Sequence, residues 1–209
     1  ALNSDEMKAL VAEVESQFNI KILGFLENGM RHFATIDKPV NTIDDIKGVK
    51  LRVAPSVIIQ EAMGLIGANP MSITYSEVST ALQNKTIDGE EINITSVGSQ
   101  KHYEVIKYIS EVGFYPYPTA CVVNGDFWNG LTEDQQKLLQ DTFTEAMEKN
   151  MTELIQESEA TFRKECEDNG VVFNKVENIQ PFKDAVQSLY KKYSDKDAKI
   201  AAFVDKFNK

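Results

Sequence analysis

Three arginines, Arg31, Arg52 and Arg163, stand among 22 basic residues in a chain of 209. Lysine therefore supplies general solubility, and each arginine asks for its own explanation. A guanidinium is a rigid planar fork that grips a carboxylate through two parallel hydrogen bonds, whereas an ammonium offers only a point charge. Arg163 falls in a helical pattern among acids, where a surface ion pair of little worth is expected. Arg52 interrupts the strand pattern Val49-Lys50-Leu51-Arg52-Val53, which Pro55 closes. Ligands of open α/β sheets gather at the carboxyl ends of strands. Arg52 is thus either half of a structural ion pair or a ligand for an anion.

Signatures of catalysis are missing. The two histidines, His32 and His102, lie in no HExxH pattern. His102-Tyr103-Glu104 matches the H-x-E fragment of zinc deaminases, but no C-x-x-C follows it. GxSxG, Walker and GxGxxG motifs are absent from the sequence. Cys121 and Cys166 fit no metal spacing, and each is expected to pack as a small buried apolar group. Glu90 and Glu91 are adjacent, so their side chains diverge, and a solvated turn is expected there rather than acid–base work. The reading is a binding module and not an enzyme, with no catalytic residue, metal ligand or cofactor assigned. A net charge of −10 without a basic stripe argues against nucleic acid. No apolar run approaches the ~18 residues of a membrane span.

The elements that position these residues alternate. Leu10, Val11, Val14 and Phe18 mark one apolar face of an opening helix capped by Ser4 or Asp5. Ile20 to Phe25 reads as a strand, broken at Asn28-Gly29, and a second extended segment carries Arg31. A short helix over Thr42 to Lys47 precedes the Arg52 strand. A helix from about Ser56 to Ile66, a strand around Met71 to Thr74 and a helix from Ser76 to Leu82 follow, with a turn at Asp88-Gly89. Strand and helix in alternation indicate α/β architecture with a mainly parallel sheet. Thr132-Glu133-Asp134-Gln135 has capping-box form. The apolar stripe from Leu138 to Cys166 then predicts one helix stopped at Asn169-Gly170, ~54 Å long if uninterrupted. A strand at Val171 to Phe173 and one or two helices complete the pattern.

Several ordered segments make a resemblance. They are Gly29-Met30-Arg31-His32-Phe33, Lys38-Pro39-Val40 and Asp45 through Val53, then Gly67-Ala68-Asn69-Pro70, Tyr75-Ser76-Glu77-Val78 and Ala81-Leu82-Gln83. Asp88-Gly89-Glu90-Glu91, Tyr103-Glu104-Val105 and Phe127-Trp128 with Leu131 continue the series. Together they resemble the solute-binding proteins of TRAP transporters (tripartite ATP-independent periplasmic).

The resemblance implies a periplasmic-binding-protein-like α/β fold, in which two lobes joined by a long bridging helix close around a small organic acid. It implies that the acid passes to TRAP membrane permease subunits. The location implied is periplasmic or otherwise extracytoplasmic, with a lipid anchor in a Gram-positive cell. The family's principal carboxylate-binding arginine falls on Arg52, a second on Arg31, and a pocket aromatic on Tyr75. Where many members have Asn followed by Pro after the Asp-Gly-x-Glu turn, this chain has Ile92 and then Asn93, so Asn93 is the amide candidate from that loop.

The family's usual opening portion, roughly a hundred residues and about one lobe's worth, precedes the point where this chain starts. The chain opens on Ala1 and lacks the charged-then-apolar order of an export signal, so a processed or shortened chain is expected. One nearly complete lobe is expected from 29–116 with 158–209. Remnants of a truncated one are expected from 1–28 with 117–157. Such a chain could serve as a sensor domain or bind nothing, and a homodimer covering the truncated lobe is the arrangement its exposed edge invites.

Overall fold

The computed structural model describes residues 1–208. The chain opens with α1 (Asp5–Phe18), whose first turn is closed by Ser4 Oγ accepting the Met7 amide. β1 (Ile20–Met30) runs straight through the expected break, although Gly29 sits inside it at φ +80°, a region open to glycine. Arg31 is then the single residue between β1 and β2 (His32–Thr35). A 3₁₀ turn over Ile43–Ile46 replaces the short helix, because Asp45 binds back to Thr42 and tightens it. β3 (Lys50–Val53) carries Arg52, α2 (Val57–Leu65) follows, and β4 (Asn69–Ser72) begins two residues earlier than the pattern suggests.

A 3₁₀ turn at Tyr75–Glu77 leads into α3 (Val78–Gln83). The expected turn at Asp88-Gly89 is instead the threshold of a strand, β5 (Gly89–Ile92), buried along its whole length. α4 (Ile94–Ser99), a 3₁₀ turn over His102–Glu104, β6 (Tyr108–Glu111) and β7 (Pro116–Asn124) come next, then α5 (Gly125–Asn129). The long helix is present as α6 (Glu133–Lys149), a π segment over Asn150–Leu154 and α7 (Ile155–Asp168), and it starts with the capping box on Thr132 and Gln135. β8 (Val172–Lys175), α8 (Gln180–Ala185), α9 (Gln187–Ser194) and α10 (Ala198–Phe207) end the described chain.

The chain forms two compact units, one of Ala1–Glu27, Pro118–Gln156 and Tyr190–Lys209, the other of Asn28–Tyr117 and Glu157–Leu189. Tyr190–Lys209 thus departs from the expected grouping of 158–209. The reason is local: α10 packs on α1, with Lys199 Nζ donating to Glu13 at 2.5 Å and Lys206 Nζ to Glu6 at 2.8 Å. In this first unit β1 and β7 pair as a two-stranded sheet. Among its described residues only Gly125 is buried, while Phe18 and Leu138 are 63% and 66% exposed.

The second unit holds the core. Its six-stranded sheet has the order β4-β3-β5-β2-β6-β8. β3 pairs parallel with β4 and β5, and β6 with β8, but β2 runs antiparallel to both β5 and β6. The sheet is therefore mixed, with β2 the one strand antiparallel to its neighbours. Ala34 and Ile92 face a cluster that includes Leu82 of α3, Val97 of α4 and Cys166 of α7. On the other face Phe33 packs against Phe114 and Phe182 at ring distances of 6.0 and 5.9 Å.

With both faces covered, β5 has no solvent side. Its first residue is glycine for a packing reason: a Cβ at Gly89 would enter the Ala34 carbonyl and come within 3.0 Å of Thr35 Cα. Gly89→Ala is expected to lower stability by about 2 kcal/mol, the usual range for forcing atoms into a filled core. A urea midpoint unchanged from the parent would contradict this close approach.

Candidate functional site

Every side chain of interest belongs to the second unit. Arg31 is buried, and its fork is committed inside the protein. Nε donates to Glu91 Oε2 at 2.7 Å, and Nη2 donates to Glu91 Oε1 at 3.0 Å and to the Glu91 carbonyl at 2.7 Å. Nη1 donates to Asn93 Oδ1 at 3.3 Å, and the guanidinium lies 4.6 Å from the centre of the Tyr117 ring. Tyr115 adds its hydroxyl to Glu91 Oε2 at 2.7 Å. Burial works against the Arg31 charge, but the bonds and charge of Glu91 outweigh it and hold Arg31 above the ordinary arginine range. Burial first, and the Glu91 charge second, push the Tyr115 phenol upward, so it stays a donor. The Asn93 amide is used in full as a donor, to the Asn28 carbonyl at 2.7 Å and Thr95 Oγ1 at 2.6 Å.

Arg52 is placed differently. It is 3% exposed, yet its one hydrogen bond among the described residues runs from Nε to the Ile73 carbonyl at 3.0 Å. Neither Nη has a hydrogen-bond partner among the described residues. No carboxylate among the described residues forms a contact ion pair with it. Burial lowers its affinity for the proton, partly offset by the charges of Glu90 and Glu91. An anion at the tip would relieve that cost. Tyr75, 44% exposed, has its ring centre 5.8 Å from this guanidinium. The structure thus brings Arg52 and Tyr75 together, and Arg31 with Asn93, in two adjacent groups.

Beside Arg52 lies a pair that the motif search passed over. In the parallel register Arg52 stands opposite Glu90, so both side chains leave the same face of the sheet. Glu90 Oε1 is 2.6 Å from His102 Nδ1, both residues are buried, and the His102 ring meets the Tyr75 ring edge-on at 6.4 Å. Glu90 and Glu91 are therefore not a solvated turn. They sit on a central strand whose pleat sends one to His102 and the other to Arg31. The available signal was charge balance, since two arginines in strand patterns call for nearby carboxylates.

Smaller departures have similar causes. Arg163 is half-buried rather than superficial, bonded to Glu111 and stacked 4.2 Å from the centre of the Phe173 ring. Cys166 is buried as expected, whereas Cys121 is half-buried. Among the described residues no group of His, Cys, Asp and Glu could hold a metal ion.

The second unit is thus a mixed α/β sheet with an arginine, near the carboxyl end of a strand, whose terminal nitrogens have no partner among the described residues. Comparison with known proteins identifies the family. The profile of the bacterial extracellular solute-binding proteins, family 7 (DctP), matches residues 1–197. A solute-binding protein of Chromohalobacter salexigens is 27% identical over 193 residues, which cover 92% of this chain and 57% of that one. The C4-dicarboxylate-binding protein DctB of Bacillus subtilis is 33% identical over 135 residues, 64% of this chain and 38% of that one. A crystal structure of a TRAP periplasmic solute binding protein from Chromohalobacter salexigens, with bound d-glucuronate, superposes with a TM-score of 0.92 at 25% identity. It covers 98% of this chain and 67% of that chain. The chain belongs to this family of extracellular solute-binding proteins, which are receptors and not enzymes, and it spans little more than half the length of the first of these relatives.

Two outcomes follow from the geometry. Glu91→Gln keeps the size but leaves the Arg31 charge buried without its counter-ion, at an expected cost of about 3–5 kcal/mol. Chemical denaturation measures this, and a loss under 1 kcal/mol would mean that the pair contributes no more than a surface one. His32 is the second case. Its Nδ1 accepts the Gly113 amide at 3.1 Å, and burial pushes its pKa down to about 4, aided by Arg163 and Arg31 and opposed by Glu111. The unfolded chain then binds the extra proton first. Stability is full above the ordinary value near 6.5 and falls by up to about 3 kcal/mol as pH drops toward 4. Denaturation midpoints at pH 7.5 and 5.0 should converge in His32→Gln, and equal slopes in parent and variant would refute this assignment.

Proposed function

We propose that this chain is the acid-gripping part of an extracytoplasmic receptor that delivers a small carboxylate to a TRAP-type membrane permease. One observation carries the reading: the Arg52 fork, alone of the two strand-associated arginines, has no partner for either terminal nitrogen among the described residues. A carboxylate meets that fork with two charge-assisted bonds. Tyr75 supplies an aromatic wall with a hydroxyl at its rim. Arg31, with most of its donors held by Glu91 and Asn93, offers at most one further N–H, and Asn93 serves by fixing Arg31 rather than by touching the guest.

The ligands named for the relatives support the class. d-Glucuronate and C4-dicarboxylates differ in everything but the carboxylate. Selectivity among such acids then comes from groups around the fork, while the fork supplies the common anchor.

A thermal-shift and calorimetric titration of the chain with d-glucuronate and succinate tests this. At least one acid should bind where its methyl ester does not. Arg52→Lys should weaken that binding by about tenfold to a hundredfold, the worth of a charged bidentate contact over a point charge. Equal affinity in Arg52→Lys, or no binding of any acid, would overturn the reading.

A further inference from the structure

Glu90 and His102 form a two-proton device beneath Arg52. One proton is fixed on the 2.6 Å bond between Glu90 Oε1 and His102 Nδ1. A second has two places to sit, Glu90 Oε2 and His102 Nε2. Both atoms are sealed from solvent, and neither has a hydrogen-bond partner. No hydrogen bond therefore pins the second proton, and its occupancy follows the local electrostatic field.

The charges that shape that field can be enumerated. From β3 comes Arg52, opposite Glu90 in register and without a contact ion pair. From the neighbouring 3₁₀ turn come Tyr75, edge-on to the imidazole, and the exposed Glu77, bonded by Thr74, and from β2, which pairs with β5, comes His32. β5 itself adds Glu91, whose charge is matched by Arg31 at 2.7 Å. The turn that bears His102 adds Lys101, Tyr103 and Glu104, with Tyr103 donating to Glu165 at 2.8 Å. α4, which packs on that turn, has no ionisable side chain. With His102 neutral, Arg52 cancels Glu90 and Arg31 cancels Glu91. A carboxylate on Arg52 then leaves one net negative charge in a buried cluster, and one proton restores neutrality.

We infer that binding of a carboxylate at Arg52 is coupled to uptake of one proton from solvent by the Glu90–His102 pair. The inference rests on Arg52 as the anchor. The anion and the proton favour each other reciprocally, as linkage requires. Affinity is highest where the pair is already doubly protonated. It falls with rising pH as the second proton becomes harder to take up, with a limiting slope of about tenfold per pH unit.

Calorimetry with d-glucuronate in phosphate and in Tris, buffers of unlike ionisation enthalpy, reads the uptake directly. A buffer-dependent binding enthalpy that reports net proton uptake is expected in the parent, and none in His102→Gln. Binding without uptake in the parent would overturn the coupling while leaving the anchoring role of Arg52 intact. A second arm needs no ligand. Arg52→Gln removes the same positive charge that a bound carboxylate neutralises. Nitrogen-15 NMR of the His102 imidazole should then show a larger doubly protonated fraction than the parent shows at the same pH. An unchanged fraction would overturn the inference even in a chain that binds no acid, a result that would separately defeat the proposed function.

Discussion

A carboxylate or guanidinium buried between two covered faces of a sheet must find a partner, because the alternative costs several kcal/mol. That constraint governs the second unit. β5 lies between β3 and β2 with apolar layers on both sides, and it carries two adjacent carboxylates into the centre of the sheet. The pleat separates them. Glu91 closes on Arg31 with a bidentate grip reinforced by Tyr115, and Glu90 closes on His102.

What remains is an asymmetry between two arginines of the same chemistry. Arg31 has its counter-charge built in, so it acts as a fixed support for the strand ends around it. Arg52 is anchored by Nε alone, to a backbone carbonyl that carries no net charge. Its own burial makes the unpaired positive charge costly, a cost that an anion at its tip would reduce. Anchoring at Nε also fixes the direction of the fork, so little side-chain entropy is left to lose on binding. The Glu90–His102 pair lies beside it on the same face of the sheet.

The two units differ in kind. The second has a packed core and accounts for all the buried charged chemistry. The first consists of amphipathic helices and a two-stranded sheet whose apolar side chains are half-buried or exposed. The family match spans both, and the relatives it resembles are longer. All the residues assigned to the Arg52 group lie in the second unit.

Much of this was legible in the residues alone. The alternation around Leu51, Arg52 and Val53, the cap at Thr132 and the stripe from Leu138 to Cys166 specify local structure because each depends on neighbours within a turn or two of chain. The scarcity of arginine marked Arg52 and Arg31, and the ordered motifs marked the family. The Gly89 to Ile92 segment was misread for a definite reason. Two adjacent acids after Asp-Gly have every local mark of a solvated turn, and only the arrival of β2 and β3 on either side, with helices above and below, removes the water. The same holds for which arginine is occupied. Sequence supplies both forks and both carboxylates, but the register that sets Phe33 opposite Glu91 and Arg52 opposite Glu90 is a property of strands far apart in the chain. Composition decided that charges would meet; tertiary structure decided which arginine would be left without a carboxylate partner, because pairing over distance is fixed by strand order and not by neighbours in sequence.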